Sequence, residues 1–116
     1  MKLMTKDLRK KLPALYSQEE NPDPMVVCKF FTPDAGWTWY AIEGSPVDEN
    51  GYYDTDKEKV DYIFFGLVSG AEVELGYFSL SELKSIRGKL GLPVERDLYF
   101  EPTRLSAIKM LCRYSK

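Results

Sequence analysis

Two arms rich in β-branched and aromatic residues, Val26–Thr32 and Trp37–Glu43, flank the stretch Pro33-Asp34-Ala35-Gly36. Such residues suit a pleated, half-buried surface. Proline, aspartate and glycine each favour a turn for a separate physical reason. The pattern predicts a β-hairpin. A loop of this length sets Thr32 opposite Trp37, Phe30 opposite Trp39, Cys28 opposite Ala41 and Val26 opposite Glu43. The other face then carries Val27 with Ile42, Lys29 with Tyr40 and Phe31 with Thr38. The first face is the more apolar and is assigned to the core. Its cross-strand aromatic pairs read as sheet stabilisers in preference to a ligand-stacking site.

A second hydrophobic run, Asp61–Val68, is nearly continuous, which fits a central strand covered on both faces. Ser69-Gly70-Ala71-Glu72 turns it back into Val73–Phe78, in a register that places Gly76 opposite Phe65. The two hairpins predict a mainly antiparallel four-stranded sheet from residues 26–43 and 61–78.

Helical periodicity brackets this sheet. Thr5 is the expected N-cap of a first helix, with Asp7 in its first turn and Leu8, Leu12 and Leu15 as its stripe. Pro13 ends or restarts that helix. Ser79-Leu80-Ser81-Glu82 is a capping box, followed by Leu80, Leu83, Ile86 and Leu90 on one face and stopped by Gly91 and Pro93. A last helix opens after Pro102-Thr103, with Leu105, Ile108, Leu111 and Cys112 facing inward. Helices are thus expected near residues 5–16, 79–90 and 103–114, and Val94–Phe100 adds a short strand. Gly44–Lys59, with Pro46, Asn50-Gly51 and many acids, reads as an exposed, mobile excursion. The fold class is α+β: one domain over residues 1–116, a four-stranded sheet packed by about three helices.

Composition narrows the chemistry. The chain has 116 residues, two cysteines and no histidine. A Ser-His or Cys-His nucleophile pair is therefore impossible within it. Cys28 and Cys112 have no metal-type spacing and read as buried free thiols. No apolar run approaches membrane-helix length and no signal peptide precedes the fold, so a cytoplasmic protein is expected. Residues 1–11 carry five Lys or Arg against one Asp, and Arg104, Lys109, Arg113 and Lys116 make the other end basic. These basic ends offer a possible nucleic-acid contact, although overall acidity disfavours it. The spacing of Asp48, Asn50, Asp54, Asp56 and Glu58 fails the calcium-loop pattern. No cofactor and no metal site are expected.

Several strings carry a resemblance: Thr5-Lys6-Asp7-Leu8 with Leu12-Pro13; Phe30-Phe31-Thr32-Pro33-Asp34-Ala35-Gly36-Trp37-Thr38-Trp39-Tyr40-Ala41; Glu74-Leu75-Gly76-Tyr77-Phe78-Ser79-Leu80-Ser81-Glu82-Leu83; and Arg87-Gly88 with Leu90-Gly91-Leu92-Pro93 through Glu95-Arg96-Asp97-Leu98-Tyr99-Phe100-Glu101-Pro102. Together they resemble a bacterial family known as domain of unknown function 2958. The segment Gly44–Asp61 is longer than the resemblance leads one to expect. The resemblance implies a bacterial source and a place on plasmids, phages or integrated mobile elements. It implies no activity, substrate or catalytic residue.

With nucleophile pairs excluded, the remaining catalytic option is carboxylate chemistry from Glu43, Glu74, Glu95, Asp97 or Glu101. The favoured expectation is instead a small non-catalytic binding or regulatory protein that engages another protein. A carboxylate-dependent hydrolase or transferase is the alternative. The candidate binding residues are Asp34 and Trp37 at the hairpin turn with Arg87, Arg96 and Asp97, because Trp and Arg often dominate interface energetics. The rival reading makes the same residues scaffold: Asp34 closing its own turn, Trp37 packing on Thr32 and Arg96 pairing with Glu101.

Overall fold

The computed structural model describes residues 2–47 and 61–114. In chain order it contains α1 (Lys6–Lys11), β1 (Met25–Val26), β2 (Cys28–Phe31), β3 (Thr38–Val47), β4 (Asp61–Ser69), β5 (Val73–Ser79), α2 (Leu80–Ser85), β6 (Glu95–Arg96), β7 (Thr103–Arg104) and α3 (Leu105–Tyr114). The fold is α+β. The main sheet has five antiparallel strands in the order β5-β4-β3-β2-β6, and β1 pairs separately with β7. The expected four strands gain a fifth because Glu95 and Arg96 pair with Phe31 and Phe30.

The first hairpin has the expected register: Cys28 faces Ala41, Lys29 faces Tyr40, Phe30 faces Trp39 and Phe31 faces Thr38. Thr32 and Trp37 close it, with the Thr32 amide donating to the Trp37 carbonyl at 2.9 Å. The expected pairing fails beyond Cys28. Val26 leaves for Thr103 in the small sheet. A bulge between Ala41 and Glu43 then breaks the alternation of β3. Such a bulge changes which side of the sheet the following side chains face.

β3 is sandwiched. On one side Cys28, Phe30, Trp39, Ala41, Phe64 and Phe78 pack against Leu3, Leu8 and Leu12 of the amino-terminal segment and Leu83 of α2. On the other, Tyr40, Ile42 and Leu67 pack with Val26 against Leu105, Ile108 and Cys112 of α3. Both faces of the hairpin are therefore core, not the first alone. β3 also runs on through Gly44, Ser45, Pro46 and Val47, which pair with Phe64 to Asp61. These four residues were expected in the exposed excursion. Pro46 is tolerated because β2 no longer flanks β3 there, leaving the strand paired on one side. The rest of that excursion, with its expected mobility, lies outside the described residues.

Three further expectations change. The turn after β4 is tighter, so Gly66 faces Gly76 and Phe65 faces Tyr77. α3 begins at Leu105, because Thr103 and Arg104 are strand, and Leu111 is exposed. The α2 helix ends at Ser85. Its N-cap is as expected, with the Glu82 amide donating to Ser79 Oγ at 3.1 Å, but Ile86 is extended (φ −73°, ψ 138°). The chain then folds back on itself, Arg87 bridging Pro93 and the Gly88 amide donating to the Leu92 carbonyl at 3.0 Å. Leu90, expected on the buried face, is 79% exposed. α1 ends at Lys11, short of the expected 5–16: Leu12 is extended before Pro13 (ψ 124°) and the helix does not restart.

Carboxylates from elsewhere in the chain secure the starts of α2 and α3. Asp61 accepts from the Ser81 amide at 3.0 Å and hydroxyl at 2.7 Å. Asp23 accepts from the Ser106 amide at 2.8 Å and hydroxyl at 2.7 Å. Negative charge at a helix start is favoured by the unpaired amides there. Those two bonds from Ser106, the hydroxyl before the amide, hold the Asp23 carboxyl below its usual range.

Candidate functional site

The bulge in β3 builds the most developed surface feature. Glu43 is buried, and its two carboxylate oxygens accept from the Tyr16 amide at 2.9 Å and the Gln18 amide at 2.8 Å. The Leu15 amide donates to Ser45 Oγ at 3.0 Å, and the Gly44 amide donates to the Pro13 carbonyl at 2.9 Å. The segment after α1 is thus tied alongside the far half of β3. Tyr16 is held at φ 70°, the one non-glycine residue with positive φ among the described residues. That region is costly for an aromatic residue and persists only where surrounding contacts enforce it.

Beside this clamp lies a hollow of about 490 Å³ lined by Tyr16, Glu19, Phe65, Leu75, Tyr77 and Lys109, among others. Its size falls in the range of ligand and peptide sites. The Tyr77 ring packs 5.0 Å from that of Phe65 and 6.3 Å from that of Tyr16. Desolvation, then the hydrogen bond with the Tyr16 side chain and the charges of Glu43 and Glu19, raise the Tyr77 phenol above its ordinary range. Leu75 and Tyr77 remain 43% and 56% exposed. Both belong to β5, an outermost strand of the sheet that no described strand pairs on its outer side. β5 runs without a register shift over its whole pairing with β4.

Of the five residues singled out from the sequence, the structure brings Asp34 against the loop that follows Arg87 and pairs Arg96 with Phe30 of β2. Asp34 Oδ2 accepts from the Leu90 amide at 2.7 Å, so it holds the loop after α2. A Cβ on Gly88 would lie 1.6 Å from Asp34 Oδ1, which shows how closely that loop wraps the carboxylate. Trp37 is 41% exposed, stacks on Trp39 at 6.0 Å and covers Gly70. Its own amide donates to Thr32 Oγ1 at 2.8 Å. Arg87 donates through Nη1 to the Lys84 and Ile86 carbonyls, each at 2.8 Å, capping the end of α2. Asp97 Oδ1 accepts from the Tyr99 amide at 2.9 Å, and Oδ2 lies 3.9 Å from Lys29 Nζ. Arg96 and Asp97 line a further hollow of about 320 Å³ with Thr5, Asp7 and Lys11.

The segment leading into β6 does adjoin the hairpin turn, since Glu95 faces Phe31. Arg96 and Asp97, however, run away from it: the Asp97 amide bonds the Lys29 carbonyl at 2.9 Å. At about 3.3 Å per strand residue, that places them on the order of 15 Å from Asp34. The sequence reading named Glu43 only as a possible catalytic carboxylate and did not reach Tyr16, Leu75 or Tyr77 as site residues.

Chemically, the clamp holds rather than reacts, because both Glu43 oxygens already accept backbone protons. Among the described residues, no group of three or more Cys, Asp and Glu is placed to hold a metal ion. No described helix is long and apolar enough to cross a membrane. What the arrangement offers is an α+β scaffold with an aromatic hollow beside a strand that no described strand pairs on its outer side. The profile of the family described as protein of unknown function (DUF2958) matches residues 3–114, and the chain belongs to that family. No curated protein and no solved structure gives a significant match.

Proposed function

We propose that this is a small non-catalytic binding or regulatory protein that acts in the cytoplasm and engages an extended segment of a partner protein along β5. The observation that carries this reading is the outer edge of β5, which no described strand pairs, beside the hollow lined by Tyr16, Phe65, Leu75 and Tyr77. An unpaired strand edge presents a row of amides and carbonyls that another strand can satisfy. Peptide recognition by strand addition takes its affinity from those bonds and its specificity from pockets for alternate side chains. Natural edges are commonly blunted by lysine, proline, bulges or short length. β5 spans Val73–Ser79 with Glu74 as its only charge. The partner segment should therefore be extended and carry apolar side chains at alternate positions, directed toward Tyr77 and Phe65. The role as an accessory factor of a bacterial mobile element rests on the family resemblance.

A carboxylate-dependent hydrolase or transferase is less favoured, because Glu43 spends both oxygens on backbone amides and Asp97 divides its own between the Tyr99 amide and Lys29. A nucleic-acid role is weaker still. α1 packs on one face of the sheet and α3 on the other, so their basic residues do not pool. The test compares Leu75→Asp and Tyr77→Asp with Trp37→Ala in capture of a single, identified partner. Loss in the first two, with circular dichroism unchanged, and retention in the third support the reading. Equal capture by all three overturns it.

A further inference from the structure

A second hollow, of about 480 Å³, lies on the α1 and α2 side of the sheet and has a different character. It is lined by Lys2, Lys84 and Arg87 above Leu3, Met4, Leu83, Pro93 and Val94. Leu3, Leu83 and Val94 are core residues, so the floor is apolar and fixed. Among the described residues, no acid lines the hollow, although the whole chain carries more acids than bases. Glu82 of α2 and Asp61 of β4 are committed to the start of that helix. Glu82 Oε1 bonds Ser79 Oγ at 3.1 Å, and Asp61 holds Ser81. Among the described residues, no carboxylate pairs with Lys2, Lys84 or Arg87.

Lys2, Lys84 and Arg87 place three cations around one hollow, and an anion seated there is attracted by all three. Arg87 is also oriented in advance. Its Nη1 is anchored on the Lys84 and Ile86 carbonyls. This fixes the guanidinium plane and leaves other donors for a planar or tetrahedral oxyanion, a geometry arginine matches well. Lys2 and Lys84 add mobile point charges of the kind that serve phosphate binding.

We propose that this hollow binds a small phosphorylated ligand, its phosphates held by Lys2, Lys84 and Arg87 and its organic body resting on Leu3, Leu83 and Val94. The volume suits a mononucleotide-sized molecule. The site is separate from the β5 edge and does not depend on the partner reading above.

The experiment is calorimetric titration of the full chain with ADP, pyrophosphate and adenosine at low ionic strength. ADP should bind most tightly, pyrophosphate more weakly for want of contact with the floor, and adenosine not measurably. Affinity for ADP should fall as salt rises. Lys84→Glu and Lys2→Glu, both at exposed positions, should each weaken ADP roughly tenfold or more. Arg87→Lys keeps the charge but loses the fixed fork and should weaken it too. Binding of ADP that is indifferent to Lys84→Glu and Lys2→Glu, or no binding of ADP or pyrophosphate at millimolar concentration, overturns the proposal. So does affinity for a poly-glutamate peptide without affinity for ADP, which would make the hollow an acidic-peptide site.

Discussion

The Glu43 carboxylate holds the backbone of Tyr16 in a left-handed conformation, at φ 70°, through a 2.9 Å bond from the Tyr16 amide. Its second oxygen takes the Gln18 amide at 2.8 Å. The bulge after Ala41 makes this possible by interrupting the alternation that would have set Glu43 beside Trp39 and Ala41. Hydrogen bonds to charged groups contribute about 1.5–3 kcal/mol each, and a backbone residue in a sparsely populated region costs about 1–3 kcal/mol. Glu43→Ala should therefore lower stability in urea by about 2–3 kcal/mol and release the Tyr16 segment to amide exchange. A loss below about 0.5 kcal/mol, within the range of an ordinary surface substitution, would contradict the clamp.

Gly66 and Gly76 face each other across β4 and β5, yet their neighbourhoods differ. A Cβ on Gly66 would lie 1.9 Å from the Tyr40 carbonyl oxygen, while nothing lies within 4 Å of one on Gly76. The first clash is with backbone and cannot be relieved by a rotamer change. Gly66→Ala should cost about 3 kcal/mol or prevent folding. Gly76→Ala should be neutral or raise stability by up to about 1 kcal/mol by restricting the unfolded chain. Equal melting temperatures for the two variants would refute this difference.

Alkaline pH supplies a third check. Burial pushes the Cys28 thiol from 9.0 up to about 12, with Arg96 pulling the other way. Burial and the neighbouring Cys112 push the Tyr40 phenol from 10.0 up to about 12. Between the unfolded and folded values the folded state keeps protons that the unfolded state has lost. The stability from these groups is intact below pH 9 and is lost as pH rises toward 12, because the unfolded state binds fewer protons there. Urea midpoints should fall steadily across that window, less steeply in Cys28→Ala. Native Cys28 should also resist thiol reagents at pH 8. A flat profile above pH 9, or rapid native labelling, would count against the burial described.

What the sequence made legible was whatever depends on near neighbours. Thr5 and Ser79 as N-caps, Pro13 as a stop and the register from Cys28 to Thr38 all follow from local turn and cap chemistry, and all are present. The misses have long-range causes. Leu90 has the right spacing for α2, but the Asp34 carboxylate captures its amide across the fold. Glu43 has the right parity for the first core face, but the segment around Tyr16 supplies donors on the other side. The exposure of Leu75 and Tyr77 depends on β5 being outermost, which strand order decides and hydrophobic pattern does not.

The central claim is that β5 is the docking edge, and peptide mapping tests it most directly. Peptides selected from a random library against the folded protein would be added to isotopically labelled protein, and backbone amide shifts followed by NMR. The account predicts selected peptides with apolar residues at alternate positions, and the largest shifts along Val73–Ser79 and at Tyr16. Shifts centred instead on the hairpin turn at Asp34 and Trp37, with β5 unmoved, would contradict it.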